Sequence, residues 1–177
     1  TNSSFISCGS NTVMDLLYST YRISVFGSTF SNNLMTICRM NGGQLIMLIE
    51  DSTFDNNAKP PGDYPIVYNG DGTSNSNITV RRSHFLNNGG GSNFGLFELS
   101  NIITILFEDT EFVGNSGGNG GIMGANGANI VSIVNNRCSF RDNNLISNNV
   151  GNIYYMFIFS TTTASILFAD CEFSNNA

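Results

Sequence analysis

Ser28-Thr29-Phe30-Ser31-Asn32-Asn33 returns as Ser52-Thr53-Phe54-Asp55-Asn56-Asn57 and as Ser83-His84-Phe85-Leu86-Asn87-Asn88. It returns with more drift as Thr110-Glu111-Phe112-Val113-Gly114-Asn115, Cys138-Ser139-Phe140-Arg141-Asp142-Asn143 and Cys171-Glu172-Phe173-Ser174-Asn175-Asn176. A degenerate first copy is Ser3-Ser4-Phe5-Ile6-Ser7-Cys8. The anchor phenylalanines lie 25, 24, 31, 27, 28 and 33 residues apart. With 27 Asn in 177 residues, chance would place Asn three residues after about two of the 14 Phe. Six Phe have it, and they are the regularly spaced ones.

Each copy carries more than the motif. Upstream of Phe lies a β-rich run whose member seven before Phe is always apolar: Ile23, Met47, Ile78, Ile105, Ile133 and Ile166. Between each Asn and the next such run sits another short apolar run: Thr36-Ile37-Cys38, Pro65 to Tyr68, Gly95-Leu96-Phe97, Gly121-Ile122-Met123 and Met156 to Phe159. Gly, Asn and Ser punctuate the runs, so each copy reads as three short strands joined by tight turns. Three strands per 24–33 residues, varying in length only at the turns, predict an all-β chain. The expected fold is a right-handed parallel β-helix of about six coils, one solenoid domain over residues 1–177. An α-solenoid is excluded, because no stretch has a 3.6-residue period and Asn and Gly disfavour helix. A propeller blade would take more residues, and a leucine-rich repeat would show its Leu signature.

Stacked coils bring equivalent positions about 4.8 Å apart. Phe30, Phe54, Phe85, Phe112, Phe140 and Phe173 are thus expected to form an aromatic column in the core. Asn33, Asn57, Asn88, Asn115, Asn143 and Asn176 are expected to form a ladder at a turn. Asn tolerates left-handed backbone, and stacked amides bond to one another. Three residues before Phe, successive coils carry Gly27, Asp51, Arg82, Asp109, Arg137 and Asp170. One position earlier come Glu50, Arg81 and Glu108. Charge alternates along both columns, which predicts an outward salt-bridge ladder, because like charges stacked at this spacing repel.

Composition narrows the function. Only 11% of residues are charged, the net charge is -6, and Asn, Ser, Gly and Thr fill 80 positions. Seven basic residues and a pI near 4.4 argue against nucleic acid. No apolar run approaches a membrane span, so no membrane insertion is expected of this segment. No basic n-region and apolar h-region stand at the start, so a secretion signal is expected to be absent or already removed. The acids outside the ladder (Asp15, Asp55, Asp63, Asp71, Glu98, Glu111, Asp142 and Glu172) scatter over different repeat positions. A glycosidase needs two carboxyls facing one groove, so no catalytic residue is assigned. His84 precedes an anchor Phe and is expected outward, beside Thr53 and Glu111. Asn69-Gly70-Asp71-Gly72-Thr73 has the opening of a calcium loop but lacks the closing Glu, and reads as a turn. No metal or cofactor is assigned. Cys138 and Cys171 share one repeat position and are expected inward as free thiols; their spacing also admits a disulfide. Asn2 and Asn77 begin glycosylation sequons, a number that so Asn-rich a chain produces by chance.

The Phe-x-x-Asn motif, with Gly-rich turns such as Gly89-Gly90-Gly91 and Gly117-Gly118-Asn119-Gly120-Gly121-Ile122, resembles the repeats of chlamydial polymorphic outer-membrane proteins. Similar repeats occur in large surface proteins of other microbes and protists. The resemblance spans almost the whole chain, without a clean Gly-Gly-Ala-Ile in any copy and without an autotransporter barrel. It implies an extracellular or cell-surface location and a structural or adhesive role in a surface protein or fibre. Expected partners are host-cell or matrix glycans and proteins, and neighbouring copies or adjoining repeats stacked end to end at uncapped ends. The alternative is a carbohydrate-binding or polysaccharide-cleaving β-helix.

Overall fold

A computed structural model describes residues 4–6, 14–34, 36–57, 65–70, 75–89, 95–118, 121–145 and 153–177. Among the described residues the chain forms seventeen strands and no helix. Seven three-residue strands build one parallel sheet: β1 (Ser4–Ile6), β3 (Thr29–Ser31), β5 (Thr53–Asp55), β8 (His84–Leu86), β11 (Glu111–Val113), β14 (Ser139–Arg141) and β17 (Glu172–Ser174). The second sheet is larger and also parallel. It contains β2 (Met14–Phe26), β4 (Cys38–Glu50), β6 (Val67–Asn69), β7 (Asn75–Arg81), β9 (Phe97–Leu99), β10 (Ile102–Glu108), β13 (Met123–Asn136) and β16 (Tyr154–Ala169). A short pair, β12 (Ser116–Gly117) with β15 (Asn144–Leu145), makes a third sheet. The fold is a parallel β-solenoid.

Register follows the repeat. Phe5, Phe30, Phe54, Phe85, Phe112, Phe140 and Phe173 are Cα partners in succession through the anchor sheet. Rings from Phe30 onward stack nearly parallel, with centroids 4.8, 4.8, 5.1, 5.2 and 5.1 Å apart. Phe30, Phe54, Phe85, Phe112 and Phe140 are buried, whereas Phe173 in the last rung is 49% exposed. Opposite them in the large sheet, alternate residues point inward: Met47, Ile78, Ile105 and Ile133 are buried at the expected position. Phe107 bridges the two walls, meeting Phe112 edge-on at 5.1 Å and Phe97 at 5.5 Å.

The coil count is slightly corrected: the chain closes four turns between the buried Phe30 and Phe140, with a half-exposed Phe173 in the rung after them, rather than about six coils. The three expected strands stand apart in two copies, as β6, β7, β8 and as β9, β10, β11. The two apolar runs of a copy share one sheet, and in β2, β4, β13 and β16 they fuse into strands of 13, 13, 14 and 16 residues. In β4 the link between the two runs passes through Gly42 and Gly43, whose φ of 84° and 92° other residues rarely adopt. A Cβ on Gly43, whose φ is +92°, would lie 2.1 Å from the Ser19 carbonyl oxygen, so only glycine lets β2 and β4 approach there. In the last copy the equivalent of Cys38, Val67, Phe97 and Met123 is Tyr154, not the expected Met156–Phe159 run.

Candidate functional site

The repeat positions form four side-chain columns that run along the solenoid axis. The first is the asparagine ladder. Asn33, Asn57, Asn88, Asn115 and Asn143 each donate Nδ2–H to Oδ1 of the next Asn, the last to Asn176, at 2.8–3.0 Å. The same Oδ1 atoms accept the preceding Asn's backbone N–H at 3.0–3.1 Å. Nδ2 of Asn57, Asn88, Asn115, Asn143 and Asn176 also donates to the carbonyl of the anchor Phe one rung back, at 2.8–2.9 Å. Each interior ladder amide therefore satisfies backbone and amide groups that burial would otherwise leave unpaired. The left-handed backbone expected at the ladder belongs instead to the residue before it: Asn32, Asn56, Asn87, Gly114, Asp142 and Asn175 have φ of 51–64°. That residue turns the chain, and the ladder amide then points inward from ordinary backbone.

A second, hydroxyl ladder two residues before Phe was not anticipated. Ser28 and Ser52 donate backbone N–H to the Oγ of Ser52 and Ser83 at 3.1 and 3.2 Å. The hydroxyls of Ser28, Ser52, Ser83 and Thr110 donate to the carbonyl two residues back at 2.7–2.9 Å. Cys138 and Cys171 continue this column in sulfur: Cys138 donates its N–H to Cys171 Sγ at 3.4 Å, and both thiols donate to carbonyls. Both are free thiols, and burial lifts the Cys138 thiol to about 11. The signal was legible, since the position is always Ser, Thr or Cys.

The charge column pairs backward along the axis. Arg82 donates to Asp51 at 2.8 Å and also contacts Glu50; Arg137 donates to Asp109 at 2.6 Å and to Glu108 at 3.2 Å. Arg81 lies 3.1 Å from the opposite Glu108 oxygen, which links the two clamps. Hydrogen bonds from Arg82 and Arg137 hold the Asp51 and Asp109 carboxyls below the usual range. Alternation is thus realised as two clamps rather than an unbroken chain: among the described residues no ion pair reaches Asp170. Every member of this column, from Gly27 to Asp170, has φ of 45–52°. The column therefore marks a left-handed corner as well as a charge site. His84 is exposed, with Nδ1 3.1 Å from Glu111 Oε2, and Arg141 lies 3.7 Å from the other Glu111 oxygen.

The fourth feature is the outer face of the large sheet. Register places Thr20, Gln44, Asn75, Ile102, Ile130 and Thr163 in one column. Beside it run Arg22, Ile46, Asn77, Thr104, Ser132 and Ser165, then Ser24, Leu48, Thr79, Leu106, Val134 and Leu167. These eighteen residues include no acid, and Arg22 is their only charge. Asn77, the described sequon, is exposed on this face; Asn2 lies outside the described residues. A shallow depression of about 370 Å³ opens where Ile46 and Leu48 meet Arg22, Ser24, Asn77 and Thr79.

Glu98 stands apart from the columns. It is 5% exposed, its Oε2 has no partner, and burial raises its carboxyl to about 8. Its Cα partners are Tyr68 and Gly124, not acids. Among the described residues no three His, Cys, Asp or Glu cluster as a metal would need. Among the described residues no helix is long and apolar enough to cross a membrane. No family model, curated protein or solved structure matches the chain.

Proposed function

We propose that this chain is a structural and adhesive segment of an extracellular surface protein or fibre, the role its Phe-x-x-Asn repeats suggest through their likeness to chlamydial polymorphic outer-membrane protein repeats. The observation that carries the reading is how the polar repeat positions are used. Asn, Ser, Thr and Cys columns bond rung to rung, the Arg residues clamp acids of the preceding rung, and three adjacent outer columns of the large sheet carry no acid. Such a build supplies a rigid rod and a contact surface. Neighbouring copies or adjoining repeats would extend the rod by stacking on a last rung whose Phe173 is half-exposed.

The test is adhesion of the purified chain to host cells, matrix proteins and an array of glycans, with released reducing ends assayed in parallel. Retention without release of sugar ends supports the reading. The glycan-cleaving alternative draws on Glu98, a carboxyl that stays protonated near neutrality as a general acid must. Release of reducing ends that Glu98→Gln abolishes would replace the adhesive reading with that one.

A further inference from the structure

The depression on the large sheet lies between rungs of unlike chemistry. Its floor is aliphatic, from Ile46 and Leu48 of β4. Its rim carries the Arg22 guanidinium and the Ser24 hydroxyl from β2, and the Asn77 amide and Thr79 hydroxyl from β7. Register sets Arg22 beside Ile46 and Ile46 beside Asn77, so the rim groups face each other across one intervening rung. That span is about 10 Å.

Charge decides what fits. The chain carries 13 acids and 7 bases, yet the charges lining the depression are Arg22 and Arg81, both positive, and the nearest acids, Glu50 and Glu108, share the column of Arg81 and are held by arginines. The other arginines near this sheet edge are engaged: Arg81, at one end of the depression, contacts Glu108, and Arg82 and Arg137 clamp acids. Arg22 is exposed and has no ion pair among the described residues. An unpaired guanidinium presents two parallel N–H donors that match a carboxylate. Around it stand hydroxyl and amide groups, which bond sugar hydroxyls, and an aliphatic floor, which accepts the apolar face of a sugar ring. A volume of about 370 Å³ lies at the small end of ligand sites and suits a short length of chain crossing the rungs.

We propose that this depression binds an acidic saccharide, its carboxylate held by Arg22 and its hydroxyls by Ser24, Asn77 and Thr79 over Ile46 and Leu48. The proposal rests on the adhesive reading above and names the partner chemistry for one of its surfaces. An acidic peptide offers the same carboxylate, but it leaves the hydroxyl and amide rim without a matched set of hydroxyls.

The experiment is a titration of the intact chain with a short linear oligouronate, its neutral counterpart of equal length, and a short polyglutamate peptide, followed by calorimetry and by amide shifts. The oligouronate is expected to bind, to weaken as salt rises, and to move the amides of residues 22, 24, 48, 77 and 79. Arg22→Ala should weaken binding by about tenfold or more. Its thermal melt should be unchanged, because Arg22 has no ion pair among the described residues. Asn77→Ala should weaken binding less, and Arg39→Ala, an exposed arginine in a different column, should leave it unchanged. Equal binding of the neutral sugar, equal or tighter binding of polyglutamate, an Arg22→Ala variant that binds like the wild type, or no oligouronate binding up to about 1 mM would each overturn the site. The adhesive reading is scored separately: Arg22→Ala protein that binds the oligouronate like the wild type refutes this site and leaves that reading intact, while a wild-type chain that adheres to no cell, matrix protein or glycan refutes the reading itself.

Discussion

Glu98 shows at the residue scale how burial turns into pH dependence. Its carboxyl is pushed up to about 8 from an ordinary 4.5, because burial takes the ionised form out of water and leaves its Oε2 without a hydrogen-bond donor among the described residues. Below the ordinary value both states are protonated, and Glu98 costs nothing extra. As pH rises from there, the unfolded chain ionises first, and stability falls until pH passes 8. The loss is on the order of 3–5 kcal/mol if the unfolded chain behaves ordinarily. Glu98→Gln should therefore melt higher than wild type at pH 8 and equally at pH 4; equal melts at pH 8 would mean the carboxyl is solvated. The anchor column makes a second prediction at this scale. Phe85 stacks between Phe54 and Phe112 with no exposure, so Phe85→Ala should cost about 3–5 kcal/mol in urea unfolding. Phe173→Ala should cost clearly less, since that ring is 49% exposed. The Phe and Asn columns were legible because a large apolar residue and a fixed amide recur at one spacing. The burial of Glu98 was not, because it depends on what covers a single outward position and no repeat marks it.

At the scale of the element, the Phe strands from Phe30 to Phe173 are each bracketed by two left-handed corners, three residues before and two after the ring. The sequence hid the first corner behind charge. Asp and Arg alternate there for electrostatic reasons, and only Gly27 in the first rung betrays a backbone demand. The strand pattern was also only half legible. Two apolar runs per copy are visible, but nothing in their composition says that they continue one strand, since Gly42 and Gly43 read as a turn as readily as an extended link. The hydroxyl ladder beside the corner gives the element its own test. Ser83 Oγ is the acceptor for the buried Ser52 N–H. Ser83→Ala should strand that donor and cost about 1–3 kcal/mol. Ser83→Cys should cost less, because sulfur already fills the role in Cys171. If the alanine and cysteine variants unfold at the same denaturant concentration, the ladder bond contributes nothing.

For the whole molecule, the charge clamps join rungs that are otherwise held by backbone and core. Arg82 ties β7 to the two acids at the end of β4, all on the surface. Arg82→Glu should lower the melting temperature most at low salt and progressively less as ionic strength rises. Arg82→Gly should show little salt dependence, since it removes the charge and suits a φ of 45° better than any side chain. A salt-independent deficit in the Glu variant would place these side chains out of contact. The perpendicular relation between strands and axis also decides how the rod answers force. Tension along the axis does not shear the strands; it peels the outermost rung, loading a few hydrogen bonds at a time while the rest carry none. Each rung that yields lengthens the tether by the chain between successive anchors, 24 to 33 residues, or roughly 80–120 Å when extended. Pulled between its ends, the chain should lengthen in unequal steps at low, similar forces, like a coiled spring line paying out loops of different size, and a single rupture releasing the whole contour would show that the rungs fail together.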